Sequence, residues 1–203
     1  MRAVFDTAFQ HEPLPTLPVS SDLAGLVPDG GLVRGRTVLC SGDAAVALAL
    51  RMVSCATQAG SWLGVVGVNN IGVQAASEHG VALQRVVFVQ PALRRAEWVS
   101  TVAAVADGFD VVLLETPPGI TAADARRVQA RIQARRNVLV LIGGSSASVV
   151  QSVFQPDVVL HTSTTEWHGI ERGAGHIQSR DVHVAVSGRR VPKALQQSLR
   201  FVG

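Results

Sequence analysis

Four residues early in this 203-residue chain, Ser41-Gly42-Asp43-Ala44, have the types and the setting that phosphate chemistry uses. They make a small-residue turn between a short apolar run, 37–40, and an alanine- and leucine-rich segment. Strand, glycine turn and helix together form the frame of a phosphate-binding loop. In such a loop backbone N–H groups and a helix N-terminus surround the phosphates, a lysine neutralises the terminal one, and a Ser/Thr hydroxyl holds magnesium. Here the frame stands without the working groups. Gly42 leads straight into Asp43-Ala44-Ala45-Val46, with no second glycine and no Lys or Ser/Thr at the helix start, and the chain's one lysine, Lys193, lies near its far end. Asp43 at this place suits a helix cap and would repel a triphosphate.

Glu115 closes a second apolar run, 110–115. Asp43 and Glu115 thus both fall near C-terminal ends of core strands, where open α/β sheets bind ligands. Two carboxylates in one crevice could share acid–base work, but neither a nucleophile nor a phosphate clamp accompanies them. Ser145, Ser146 and Ser148 stand beside glycines without the Gly-x-Ser-x-Gly elbow, which reads as a flexible loop. His161, His168, His176 and His183 recur at seven- or eight-residue intervals without helical i,i+4 spacing or a neighbouring cysteine, so they read as surface or turn histidines, with no metal site. The segment 121–136 sets Ala125, Val128 and Ile132 in a narrow apolar stripe and covers much of the rest with Arg126, Arg127, Arg131, Arg135 and Arg136. A solvated face is the plain reading, with Arg127, Arg131 and Arg135 the candidates for weak, electrostatic nucleic-acid contact. At the N-terminus Phe5, Ala8 and Phe9 precede the proline-rich stretch 11–18 and are candidate anchors of a partner-binding arm.

The elements that must position these residues follow from composition and pattern. The chain is 47% hydrophobic and 16% charged, which suits one α/β domain whose central strands are covered on both faces. Net charge is +3, and a surplus that small does not by itself imply nucleic-acid binding. Cys40 and Cys55 lack CxxC spacing, no secretory leader is visible, and no apolar run approaches the ~20 residues that span a bilayer. These features predict buried reduced thiols in a soluble, cytoplasmic protein. Residues 1–19 read as an arm and proline-rich linker held away from the core, and 20–203 as a single domain. Strands are expected at 37–40, 62–68, 86–90, 110–115 and 138–142, and helices at 43–58, 75–79, 94–106 and 121–136. After Pro156 the pattern changes to strands 158–162 and 181–187 around a glycine-containing turn near 173–175, so the mainly parallel sheet is expected to end antiparallel.

In order and spacing these segments resemble the RecA-type ATPase core, a three-layer α/β fold, over nearly the whole chain. Gly30-Gly31-Leu32-Val33-Arg34-Gly35-Arg36 resembles the entry to its phosphate loop, Gly80-Val81 to Gln90-Pro91 its third core strand, and 109–115 its Walker B strand, with Glu115 at the metal position. The short length, the missing loop lysine and the proline-containing arm are similar to ImuA in its actinobacterial form, ImuA′. That resemblance implies an accessory role in SOS mutagenesis and translesion synthesis. It also implies as partners an ImuB-like Y-family homologue, an error-prone C-family polymerase and the recombinase RecA; the Phe5 and Ala8 spacing separately leaves self-association through the arm open.

The departures decide the expected chemistry. No carboxylate lies between Trp62 and Ser77, where a RecA-type general base would stand. Gly143-Gly144 replaces the sensing glutamine, and only 21 residues separate Glu115 from Asn137, too few for a mobile DNA-gripping loop plus a helix. The sequence therefore predicts no enzyme activity, no cofactor and no metal. Two other readings stay open: a weak nucleotide-binding regulator of a recombinase, and a DNA-binding module using the 121–136 helix.

Overall fold

Short apolar runs alternate with longer segments of helical period, and the central runs become strands buried between two helical layers. The structure, a computed structural model, describes residues 15–69, 71–91, 95–144, 146–171 and 174–202. The order is β1 (Thr16–Pro18), α1 (Ser21–Ala24), β2 (Gly31–Val33), β3 (Thr37–Gly42), α2 (Ala45–Gln58), β4 (Leu63–Val66), α3 (Val73–Glu78), β5 (Val86–Val89) and α4 (Arg95–Gly108). Then follow β6 (Val111–Glu115), α5 (Ala122–Arg135), β7 (Val138–Gly143), α6 (Ala147–Phe154), β8 (Val158–Glu171), β9 (Ala174–Ser187) and β10 (Leu195–Val202).

Eight strands form one sheet in the order β10-β9-β8-β3-β7-β6-β4-β5. All neighbours from β8 to β5 pair in parallel, and β9 and β10 add antiparallel strands at one edge. Because side chains alternate across a strand, Val38 and Cys40 face one layer with Leu48, Met52 and Val53 of α2, while Leu39 faces the other with Trp98, Val128, Ile132 and Phe154. This is the expected three-layer α/β architecture, mainly parallel with an antiparallel C-terminal end.

The helix at 121–136 is a close match to its pattern. Ala125, Val128 and Ile132 are fully buried, and Thr121 and Asp124 make a reciprocal capping box that fixes the start of α5. Among the described residues no helix is long and apolar enough to cross a membrane.

Two expectations are corrected. The linker does not stand off the core at its C-terminal end: Thr16–Pro18 pairs with β2, and Leu17 is 5% exposed within the core. The C-terminal hairpin is much longer than 158–162 and 181–187, since β8 and β9 each run 14 residues and β10 joins them. Its outer half is polar and has β9 but not β3 beside it, so it lacks the apolar run that marks a core strand. Residues 1–14, which carry Phe5, Ala8 and Phe9, lie outside the described residues.

Candidate functional site

The turn after β3 is closed by β8. Parallel pairing sets Gly42 opposite Thr162, and there one hydroxyl serves both sides of the turn. Thr162 Oγ1 donates to the Ser41 carbonyl at 2.8 Å and accepts from the Ala44 N–H at 3.0 Å. Gly42 has φ +94°, and a Cβ on it would lie 1.9 Å from the Thr162 carbonyl oxygen. The other turn groups are also tied to β8. The Asp43 carboxylate accepts the Thr164 N–H at 2.8 Å, and Ser41 Oγ lies 3.1 Å from His161 Nδ1.

A phosphate loop needs open space lined by N–H groups with no protein acceptor. Between β3 and α2 only Asp43 and Ala44 intervene, too few to wrap a phosphate, and the Ala44 N–H already has its acceptor. The expected helix cap is also corrected: α2 starts after Ala44 with no side-chain cap, because the Asp43 carboxylate is drawn to the β8 backbone.

Asp43 and Glu115 do not converge. Asp43 is held toward β8, on one side of β3, whereas β6 lies beyond β7 on the other side. Glu115 is half-buried at the end of β6 opposite Ile142, with Oε1 3.9 Å from where a Gly144 Cβ would stand. Glu115 thus stands at the C-terminal end of β6, where its sequence position places it.

The candidate arginines divide. Arg131 and Arg135 both bond the Asp107 carboxylate at the end of α4, Arg135 Nε at 3.0 Å, and with the Arg131 hydrogen bond foremost they hold that carboxyl below its usual range. Arg127 is 71% exposed and 3.9 Å from Asp124. The stripe therefore ties α5 to α4 as much as it faces solvent.

Pairing of β8 with β9 assembles two groups that spacing along the chain hid. The Asp181 carboxylate accepts two bonds from Arg200, at 2.7 and 2.9 Å, and lies 3.0 Å from His168 Nε2; these partners hold it well below the usual carboxylate range. Glu166 stands beside them, and the Glu166, His168 and Asp181 ligand atoms lie within 4.8 Å of one another. The Arg200 fork occupies both Asp181 oxygens, so the group stands as an ion-pair network.

Nearby, a groove of about 300 Å³ opens between α3 and the hairpin, lined by His79, Trp167, Ile177, Arg180 and Phe201 among others. Arg180 lies over Trp167 at 5.1 Å, Arg51 over Phe201 at 5.3 Å, and burial, then Arg51 and Arg180, lowers the His79 pKa. Trp167 and Ile177, large apolar residues in otherwise polar runs, are the signal in the sequence for this region.

The sequence matches the family described as the MT3502 N-terminal domain over residues 25–147, more than half of the chain. The chain belongs to the MT3502 N-terminal domain family. The matched span holds the β3 turn, Glu115 and α5; Thr162 and the hairpin lie beyond it. No curated protein matches the chain. Among solved structures, the chain is similar to the RadB recombinase with a TM-score of 0.66 at 13% identity, covering 89% of this chain and 93% of that one. It is also similar to the flagellar accessory protein FlaH from Methanocaldococcus jannaschii with a TM-score of 0.61 at 11% identity, covering 93% and 94%. At such identities the likeness shows the fold, which is RecA-like.

Proposed function

We propose that this chain is a non-catalytic RecA-fold accessory protein of DNA-damage-induced mutagenesis and translesion synthesis, acting through protein–protein contacts. The observation that carries the non-catalytic reading is the Thr162 hydroxyl between the Ser41 carbonyl and the Ala44 N–H. A catalytic loop keeps that N–H for a phosphate oxygen. The fold supports a RecA-family relationship, and the finer assignment rests on the sequence resemblance to ImuA′. On this reading the partners are an ImuB-like Y-family homologue, an error-prone C-family polymerase and RecA. The arm residues Phe5, Ala8 and Phe9 are the anchor for one of them or for a second copy.

Two measurements test it. Isothermal titration with Mg-ATP is expected to show no binding at sub-millimolar concentration, and a micromolar Kd overturns the non-catalytic part. Co-purification of the full chain with each of the three partners is expected to retain at least one, and retention of none overturns the accessory part.

A further inference from the structure

At the carboxyl ends of the strands, where an open α/β sheet ordinarily takes its ligand, the turn after β3 is closed by Thr162. At the opposite end, where the parallel strands begin, cations gather. Arg36, Arg189 and Arg190 surround the nearly buried Asp157 carboxylate at 3.8, 3.2 and 3.5 Å, three guanidiniums on one acid. Arg189 and Arg190 remain 58% and 56% exposed, and Lys193 is exposed on the same turn between β9 and β10. Next along the sheet, Arg34 bridges the Arg136 carbonyl and Asp110, and Arg136 is exposed at the end of α5, just before β7. Beyond β6, the indole of Trp62 is 41% exposed, with the Arg85 guanidinium 5.1 Å from its centroid.

These groups carry seven cations against two carboxylates, a surplus of five, whereas the whole chain is only +3. The charge is therefore polarised, with this end holding more than the entire net value. The row crosses seven strands, from β9 to β5, which at the usual strand spacing spans roughly 30 Å.

We propose that this edge is a binding track for single-stranded nucleic acid. Six of its seven cations are arginines, whose planar forks match phosphodiester oxygens, and a half-exposed indole with a stacked guanidinium offers a base a platform. An anionic membrane would meet the same charge, but here the one large aromatic is covered on a face by Arg85 rather than projecting as an apolar wedge. The track shares Arg136 with the 121–136 segment but uses none of Arg127, Arg131 or Arg135, and it is independent of the accessory reading.

The test is fluorescence anisotropy of a labelled oligothymidylate with the full chain over a salt series. Competition by duplex DNA and by vesicles of phosphatidylserine and phosphatidylcholine runs in parallel. Binding is expected, with the single strand preferred. Arg189→Ala with Arg190→Ala should lower the magnitude of the log–log salt slope by about 1.4, from ~0.7 per phosphate contact on single strands. Because Asp157 uses those arginines, a second double variant, Arg189→Lys with Arg190→Lys, keeps the charge and should restore the slope. Trp62→Ala should weaken binding about 5-fold or more and leave the slope unchanged. Absence of binding at low salt, vesicle competition stronger than that of the single strand, or an alanine pair that leaves the slope unaltered each overturns the proposal.

Discussion

Gly42 and Thr162 stand opposite each other across β3 and β8 with no room between them for a methyl group: a Cβ at Gly42 would meet the Thr162 carbonyl oxygen at 1.9 Å and its hydroxyl at 2.6 Å. That contact lies within backbone, which cannot turn aside as a flexible side chain would. Gly42→Ala is therefore expected to cost at least about 3 kcal/mol, from the left-handed φ and the forced separation of two central strands. Equilibrium urea unfolding checks it. A loss under ~1 kcal/mol would mean that the turn is looser than this geometry.

Thr162→Val keeps the shape and removes the hydroxyl that joins the two sides of the turn. Thr162 is 1% exposed, so the Ala44 N–H and Ser41 carbonyl lose a buried partner and the expected cost is ~1–3 kcal/mol. Valine still fills the space, so no nucleotide affinity should appear. Urea unfolding and Mg-ATP titration on the same variant read the two effects separately.

The layers were legible in the sequence because they depend on neighbours along the chain. Val128 and Ile132 announce a helix face, and 138–142 a strand buried on both sides. The missing lysine was equally plain. What fills the loop was not, because Thr162 lies about 120 residues from Ser41 and reaches it only through the parallel register of β3 and β8. The Asp43 cap failed for the same reason: a side chain that suits a helix start found a stronger claim in the Thr164 N–H, which no local pattern reports. His168 and Asp181 likewise meet only through cross-strand pairing.

Acid should reveal the Asp181 network. Its carboxyl is held below its ordinary value first by the Arg200 hydrogen bonds and then by His168. A carboxyl depressed in the folded state contributes stability above its unfolded pKa of about 3.9, and that contribution is lost as pH falls toward the folded value. The stability gap between wild type and Asp181→Asn is thus expected to be constant above about pH 5 and to close below about pH 4. Urea midpoints across that range measure it, and a gap unchanged in acid would remove Asp181 from the acid response.

The two thiols should differ sharply. Cys40 is fully buried on β3 with Sγ 3.7 Å from Met52 Sδ, and burial pushes its pKa up to about 12, whereas Cys55 is half-buried on α2. The thiolate is the reactive form. At about pH 8, near the ordinary thiol pKa, iodoacetamide is expected to modify Cys55 in the native protein and both thiols in denaturant. Peptide mass mapping distinguishes them, and native labelling of Cys40 would contradict its burial.

Leu17 is buried and Thr16–Pro18 pairs with β2, so a deletion reaching Pro18 would remove core as well as arm. A chain beginning at Pro15 keeps β1 whole and isolates the contribution of Phe5, Ala8 and Phe9. An aromatic anchor seated in a partner's pocket contributes roughly 2 kcal/mol. On that scale Phe5→Ala is expected to weaken self-association or binding to RecA or the ImuB-like partner by about 10-fold or more. The shortened chain should lose at least as much, and the thermal melts of both should match wild type. Equal affinities for wild type, Phe5→Ala and the shortened chain would leave the arm without a binding role. A lowered melt in Phe5→Ala would instead place that ring in the fold of its own chain.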